Sequence, residues 1–207
     1  NANQVPLDGR ILLRLNQMQD QYEAALNRLA LALPRLRLRM IFLINNLDLV
    51  ITVLTEQGHG ESKEVERCRD AITKYTQTFI DQALLPFFGS MLTFIKATQE
   101  TSKKEGEAAT AVGDETRITH IIRGFNIDWR NAIEKIHSEI LGEFSNFTIA
   151  NRIFQALLTQ LIHYYHEFQS ALNTAPYNAM SIRIQLVGVH EIVNEIKKFV
   201  SNSLVLK

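Results

Sequence analysis

Apolar residues recur at helical spacing along most of the chain. From Ile11 to Ala32 they stand four and three positions apart, the spacing of a helix that turns one face toward a partner helix. Pro34 ends this first predicted helix, and a second runs from about Arg35 to a cap at Gly58. A third helix is predicted from Ser62 to Pro86, and a shorter fourth from Phe87 to Glu100.

The second half of the chain carries three more apolar stripes, which follow a stretch with few large apolar residues. That stretch, residues 101–113, contains two glycines and predicts a mobile loop. Asp114 is predicted to cap a fifth helix that continues to Ile140. A sixth runs from Ile149 to Leu172 with Tyr164 in its apolar row, and a seventh from about Asn178 to Val200.

These patterns predict an all-α fold. Only residues 35–39 alternate between polar and apolar, and they stand directly before a helical stripe, so strands are not expected. About seven amphipathic helices joined by short turns should pack antiparallel in stacked bundles that form an elongated rod. The predicted sub-bundles are residues 6–100 and 114–200. Because the stripes hold most of the large apolar residues, we expect these to be buried, with little left for a deep ligand pocket.

Composition and charge narrow the function classes. The 22 basic and 22 acidic residues cancel, which disfavours binding to nucleic acid. Cys68 is the single cysteine and lies at an apolar helix position, so it is interpreted as a core residue rather than a reactive thiol. The most apolar stretch, Met40 to Leu54, is interrupted by polar residues, and we expect a soluble chain without a membrane span. The first residue is not methionine, which suggests a fragment of a longer polypeptide.

No motif for catalysis, metal binding or cofactor binding stands out. Gly58-His59-Gly60 lacks the lysine and the preceding strand of a phosphate-binding loop. His163 and His166 lie three positions apart on a predicted helix, but no acidic residue completes the helical zinc motif. We therefore expect no catalytic residue, no metal site and no cofactor, with both histidines at the polar edge of the sixth helix.

Eight polar side chains are the candidates for binding a partner. Basic residues at a helix start oppose the helix dipole, which points to an acidic partner or lipid headgroups, although a solvated helix start is the simpler reading. Polar residues inside an apolar helix must be exposed or hydrogen-bonded, and bracing of the neighbouring helix is favoured over docking. A basic pair in the last helix could add a salt-sensitive contact. The candidates are Arg35, Arg37, Arg39, Asn45, Asn46, Asp48, Lys197 and Lys198.

Trp129 belongs to the apolar row of the fifth predicted helix, between Ile118 and Ile140. Its neighbour Phe125 stands one turn earlier on the same face, and Gly124 would allow another helix to come close. Packing inside the bundle is favoured over docking for these residues.

Five segments of the chain resemble a known family. They are IFLINNLDLVITVL at 41–54, SKEVE at 62–66, LLPFFGSMLTFIK at 84–96, IIRGFNIDW at 121–129 and LLTQLIHYYHEF at 157–168. In this order they resemble the carboxyl-terminal part of the family of vacuolar protein sorting-associated protein fifty-two. The resemblance runs from about Arg39 to Lys198 and is weakest in residues 1–38 and 101–113.

The resemblance implies a non-enzymatic subunit of the Golgi-associated retrograde protein complex. Such a subunit tethers vesicles that travel from endosomes to the trans-Golgi network, and a related endosomal recycling complex shares it. The implied partners are the other tether subunits, Golgi Rab GTPases and SNAREs, and the implied location is cytoplasmic, peripheral on trans-Golgi network and endosomal membranes. Residues 1–207 would be the helical-rod domain, without the family's amino-terminal coiled coils. The alternative is a lipid-binding helical bundle that contacts anionic membranes through the arginines.

Overall fold

The computed structural model of the chain describes residues 9–103, 115–174, 177–179, 181 and 185–205. Within these ranges it contains helices and connecting turns but no strand, so the all-α prediction is confirmed. The helices are α1 (Gly9–Leu31), α2 (Leu36–Glu56), α3 (Lys63–Lys103), α4 (Glu115–Glu143), α5 (Phe147–Leu172) and α6 (Val189–Val205), with a 3-10 turn at Tyr177–Ala179.

The helix boundaries differ from the prediction at two places. The third and fourth predicted helices are one continuous helix, α3, with Pro86 inside it. Pro86 is exposed, while the apolar stripe continues in phase from Leu84 to Phe88 on the buried side, so packing holds the helix across the proline. The last helix begins at Val189 rather than Asn178, which lies in the 3-10 turn. The described part therefore has six α-helices instead of about seven.

Contacts along the chain define two compact units, Asn1–Phe79 (unit 1) and Ile80–Lys207 (unit 2). The boundary lies within α3. The predicted sub-bundles, residues 6–100 and 114–200, place the division of the chain later than this boundary. Of the predicted loop at 101–113, the first three residues end α3, and the remainder lies outside the described residues, as does Asp114.

Unit 1 is organised around α2. Its buried side chains are mainly aliphatic: Leu26, Ala30, Met40, Leu43, Ile44, Leu47, Val65, Cys68, Ile72 and Phe79. Arg67 of α3 binds α1 by two ion pairs, 2.8 Å to Asp20 Oδ1 and 2.8 Å to Glu23 Oε2. Gly58, which follows the C-cap Gln57 of α2, has a φ of 82°, a conformation that favours glycine. Burial raises the pKa of the Cys68 thiol, which agrees with its interpretation as a core residue.

Unit 2 has an aromatic core between α4, α5 and the second part of α3. The Phe125 ring stacks on Trp129 with centroids 6.4 Å apart and on Tyr165 at 4.7 Å. The Tyr165 hydroxyl donates a 2.7 Å hydrogen bond to the carbonyl oxygen of Val187. The sequence placed Tyr164 in this apolar row, and that was wrong. Tyr164 is half-buried and donates instead to Asp81 Oδ1 at 3.0 Å.

Two helices are long and apolar enough, by length and composition, to cross a membrane. They are Leu36–Glu56 and Lys63–Glu100. In the most apolar 18-residue stretch of each helix, 22% and 44% of the residues, respectively, are buried within the structure. The polar residues of α2 do not lower its average hydropathy below that of such a segment, because leucine, isoleucine and valine surround them. The absence of a membrane span stays a prediction. The core helices of soluble proteins meet the same criteria, so this finding alone assigns no span.

Candidate functional site

The three arginines at the start of α2 have three different environments. Arg35 is the N-cap residue in extended conformation, exposed, and its side chain makes no capping hydrogen bond. The guanidinium carbon of Arg37 lies 5.4 Å above the ring centre of Phe79. Arg39 Nε donates a 2.8 Å hydrogen bond to the carbonyl oxygen of Leu33 and so braces the turn before the helix. Of these three arginines, Arg35 alone has an exposed side chain, whereas Arg37 and Arg39 are half-buried.

Leucines alternate with these arginines and are themselves exposed. Leu36 and Leu38 have 42% and 41% of their surface accessible to solvent. No acidic residue stands in the first turn of α2, so the positive charge there is not offset within that turn. The start of α2 therefore combines one exposed guanidinium with two exposed apolar side chains, a combination that suits an acidic protein surface or a lipid headgroup region.

The polar residues in the middle of α2 are half-buried. Asn46 Nδ2 donates a 2.7 Å hydrogen bond to the carbonyl oxygen of Phe42, one turn earlier in the same helix. Asp48 offers its backbone carbonyl to Thr52 Oγ1 at 3.0 Å. Asn45 lies beside them and is half-buried as well. The Asn46 amide nitrogen thus bonds within α2, and bracing of a neighbouring helix by these polar residues stays a prediction.

The basic pair of α6 lies in unit 2, apart from the α2 residues along the chain. Lys198 Nζ contacts Glu195 Oε2 at 2.8 Å, and this hydrogen bond is the main reason that the pKa of Glu195 is lowered. Arg130 of α4 also reaches Glu195, with 3.7 Å between Nε and Oε2. The charge of Lys198 is therefore compensated within the unit. Lys197 is exposed.

The apolar pattern does not reveal how much apolar surface is exposed in unit 1. The stripes were expected to be covered inside the bundle, yet Met18, Tyr22 and Leu29 of the α1 stripe are 66%, 40% and 60% exposed. Among the side chains of this unit that the structure describes, the exposed large apolar ones are Met18, Tyr22, Leu29, Leu31, Leu36, Leu38, Leu49 and Val53. The only hint was that the α1 stripe keeps strict heptad spacing, which serves a separate partner helix as well as a neighbour in the same chain.

A cavity of about 350 Å³ lies between α3 and α4 in unit 2. Its walls include Phe87, Met91, Ile121 and Trp129, with Lys135 Nζ 5.6 Å above the Phe87 ring. The indole Nε1 of Trp129 is buried and has no hydrogen-bond acceptor among the described residues. The volume is near the lower limit for small-ligand sites, and the walls can hold an apolar side chain or a few waters.

No three His, Cys, Asp or Glu side chains within the described ranges lie close enough together to bind a metal ion. His163 is exposed, and its Nε2 lies 3.6 Å from Glu167 Oε1 on the next turn. His166 is exposed as well.

Comparison with known proteins gives a consistent group of relatives. Residues 2–80 match the family model described as Vps52, C-terminal. The chain is 34% identical over 202 residues to the vacuolar protein sorting-associated protein 52 homolog of Homo sapiens, an alignment covering 98% of this chain and 28% of the human protein.

More distant relatives have matching names. The homolog of Caenorhabditis elegans is 26% identical over 185 residues, covering 89% of this chain and 26% of the worm protein. Vacuolar protein sorting-associated protein 52 A of Arabidopsis thaliana is 27% identical over 193 residues, an alignment that covers 93% of this chain and 27% of the plant protein. The chain thus spans between 26% and 28% of the length of these curated relatives. No solved structure matches it significantly.

Proposed function

The chain belongs to the Vps52 family, and on that premise we propose that it is a non-enzymatic part of a vesicle-tethering subunit. The subunit acts in retrograde transport from endosomes to the trans-Golgi network, within the Golgi-associated retrograde protein complex. The observation that carries the proposal is the 34% identity over 98% of the chain to a protein named for vacuolar protein sorting. The subunit is cytoplasmic and peripheral on trans-Golgi network and endosomal membranes, held there through its partners.

The proposed task of this part of the subunit is docking to a Golgi Rab GTPase and to SNAREs. The exposed Arg35 guanidinium beside Leu36 and Leu38 supplies a small contact in which charge guides the encounter and the leucines add buried apolar area. Lys197 offers a second exposed cation in the other unit. A contact of this size is weak and salt-sensitive alone, and a tether gains strength because several such contacts act together.

A deletion in the full-length subunit tests the proposal. Removal of residues 35–207 should leave co-precipitation of the other tether subunits intact and abolish vesicle capture in cells. Loss of co-precipitation together with capture would mean that this part assembles the complex, which contradicts the docking role.

A charge reversal tests the surface itself. Arg35→Glu should reduce binding to the active form of the Golgi Rab GTPase in a pull-down, because an exposed cation at the contact becomes an anion. Arg69→Glu is the matched control, since Arg69 is also an exposed arginine of unit 1 and lies on another helix. Equal loss in both variants, or no loss at Arg35, would rule out the start of α2 as the docking surface.

A lipid-binding function is the second candidate, and the leucines that alternate with arginines at the start of α2 favour it. Exposed apolar side chains beside cations are the combination with which amphipathic helices bind anionic membranes. Flotation with vesicles of phosphatidylserine and phosphatidylcholine separates the two. A docking domain should remain in the soluble fraction, whereas co-flotation that Leu36→Ser and Leu38→Ser abolish would support the lipid function.

A further inference from the structure

Helix α1 has an apolar seam beside the face with which it packs on α2. In heptad notation the seam has Leu15, Tyr22 and Leu29 at positions a, and its positions d are Ile11, Met18, Ala25 and Ala32. The helix Gly9–Leu31 spans three heptads of this pattern. Such a repeat describes a line of contact that a second helix can follow over its whole length.

The chain itself covers a different face of α1. Leu26 and Ala30 are 6% and 3% exposed, and α1 packs against α2. At 3.6 residues per turn, the centre of the Leu26–Ala30 face lies about 100° around the helix axis from the centre of the seam. Met18, Tyr22 and Leu29 of the seam are exposed, as reported above, and Ala25 is half-buried. Among the described seam residues, Met18 and Leu29 therefore remain mostly open to solvent, and Tyr22 is partly covered on the side of Cys68 in α3.

The charges beside the seam indicate which helix would fit. On the flank away from α2, the g positions are Arg14, Gln21 and Arg28, and both arginines are exposed. Neither arginine forms an ion pair with another residue of the described part. An occupant with acidic residues facing this flank would form interhelical ion pairs like those that select partners in coiled coils.

A second copy of this chain fits poorly. In a parallel pair, each g position meets an e position of the partner, and the e positions are Leu12, Gln19, Leu26 and Leu33, which include no acid. In an antiparallel pair the g flanks face each other, which sets arginine against arginine. Self-association would thus bury the seam without satisfying its flanking charges.

We propose that the α1 seam binds one amphipathic helix of another protein, with apolar residues in a three-four repeat and acidic residues beside them. The inference does not depend on the proposed tethering function, because it concerns another surface and a contact class that any partner could supply. The contact is a two-helix coiled coil in which Tyr22 and Leu29 are central anchors and Arg14 and Arg28 select the acidic partner.

Binding of two synthetic helical peptides to the whole 207-residue chain tests the proposal. Both have leucine at a and d; one carries glutamate and the other lysine at e and g. The glutamate peptide should bind at least about tenfold more tightly by titration calorimetry, and salt should reduce the difference. The double variant Arg14→Glu/Arg28→Glu, which reverses the charge beside the seam, should bind the lysine peptide more tightly than the glutamate peptide.

Seam variants complete the test. Met18→Ser/Leu29→Ser should abolish binding of the glutamate peptide with an unchanged helical circular dichroism spectrum, whereas Leu49→Ser, an exposed leucine of α2, should not affect binding. If the double seam variant loses its helical spectrum, the proposal is tested by the Arg14→Glu/Arg28→Glu variant and its relative affinity for the two peptides. Equal affinity for both peptides would overturn the proposal. So would dimerisation of the chain in sedimentation, or co-flotation with vesicles, that Leu29→Ser abolishes, because a second copy or a membrane would then occupy the seam.

Discussion

The two units of this chain differ in how much of their apolar surface they cover. Unit 1, Asn1–Phe79, exposes eight large apolar side chains among its described residues. Unit 2, Ile80–Lys207, is longer and exposes four in the part of it that the structure describes: Leu85, Ile127, Leu141 and Phe147. Exposed apolar side chains are ordinary when they are scattered singly over a surface, but several of those in unit 1 lie along α1 and at the beginning of α2.

The difference is clearest between α5 of unit 2 and α1 of unit 1. In unit 2, α5 packs against both α4 and α6, and ten of its side chains are buried. In unit 1, α1 packs on α2 and is bound by Arg67 of α3, yet Met18, Tyr22 and Leu29 of its heptad line stay exposed. An amphipathic stripe shows that a helix needs a partner, but not whether that partner belongs to the same chain. The family model matches residues 2–80, nearly the same range as unit 1, so the part with exposed apolar surface is the part the model recognises.

The largest expected effect tests the covered core of unit 2. Trp129→Ala should lower the free energy of unfolding by about 3 kcal/mol, because Trp129 is 1% exposed and stacks on Phe125. Urea denaturation followed by circular dichroism measures the change. A loss of partner binding with an unchanged midpoint would show instead that Trp129 is a docking residue, and unit 2 would then resemble unit 1.

Trp129→Phe is the matched control. It keeps an aromatic ring on Phe125 and removes the indole N–H that has no acceptor among the described residues. The cost should be about 1 kcal/mol, since relief of the unpaired donor offsets part of the lost volume. A cost as large as that of alanine would indicate an acceptor for this N–H.

A pair of leucines on α2 tests whether unit 1 has a core of its own. Leu47 is 2% exposed and Leu49 is 61% exposed, two positions apart on the same helix. Leu47→Ala should cost about 2 to 3 kcal/mol, because it leaves a cavity, whereas Leu49→Ala should change stability by less than about 0.5 kcal/mol. Both are measured by urea denaturation. Similar costs would mean that Leu49 is covered in solution and that the contrast between the units is wrong.

The fold class and most helix positions could be predicted because the 3.6-residue period is a local property of the sequence. Which of two adjacent residues is buried could not be predicted in the same way. From Leu161, both Tyr164 at three positions and Tyr165 at four positions continue a helical row, and the fold buries Tyr165. The predicted helix end at Pro86 was wrong because a proline on the outer side of a helix is tolerated when the buried stripe continues past it.

The candidate binding residues were less predictable than the fold. The arginine cluster was visible as charge, but the bond of Arg39 to the Leu33 carbonyl depends on the path of the turn, which no residue pattern encodes. The exposed α1 seam needed knowledge of which face α2 covers. Its heptad spacing was visible, and the decision between an internal and an external partner required tertiary structure.

A smaller effect is expected from the hydroxyl of Tyr165, which ties α5 to the segment before α6. Tyr165→Phe removes the 2.7 Å bond to the Val187 carbonyl and should cost about 1 kcal/mol. Tyr164→Phe, which breaks a half-buried bond to Asp81, is the control and should cost less. Thermal denaturation compares the two, and an unchanged melting temperature in Tyr165→Phe would show that the segment before α6 is not held by this bond.

The smallest expected effect is a pH dependence confined to unit 2. His137 lies 4.4 Å from the Phe154 ring and 5.5 Å from the Phe199 ring, centre to centre, and burial lowers its pKa. The unfolded chain takes up a proton at His137 at higher pH than the folded chain does, so stability falls as pH drops below about 6.5 and levels off below the folded pKa. His137→Gln should flatten this part of the curve of unfolding free energy against pH. His59→Gln, the same change at an exposed histidine of unit 1, is the control. If the two variants alter the curve alike, the ring of His137 is as hydrated as that of His59, and unit 2 is less tightly packed there than its aromatic contacts indicate.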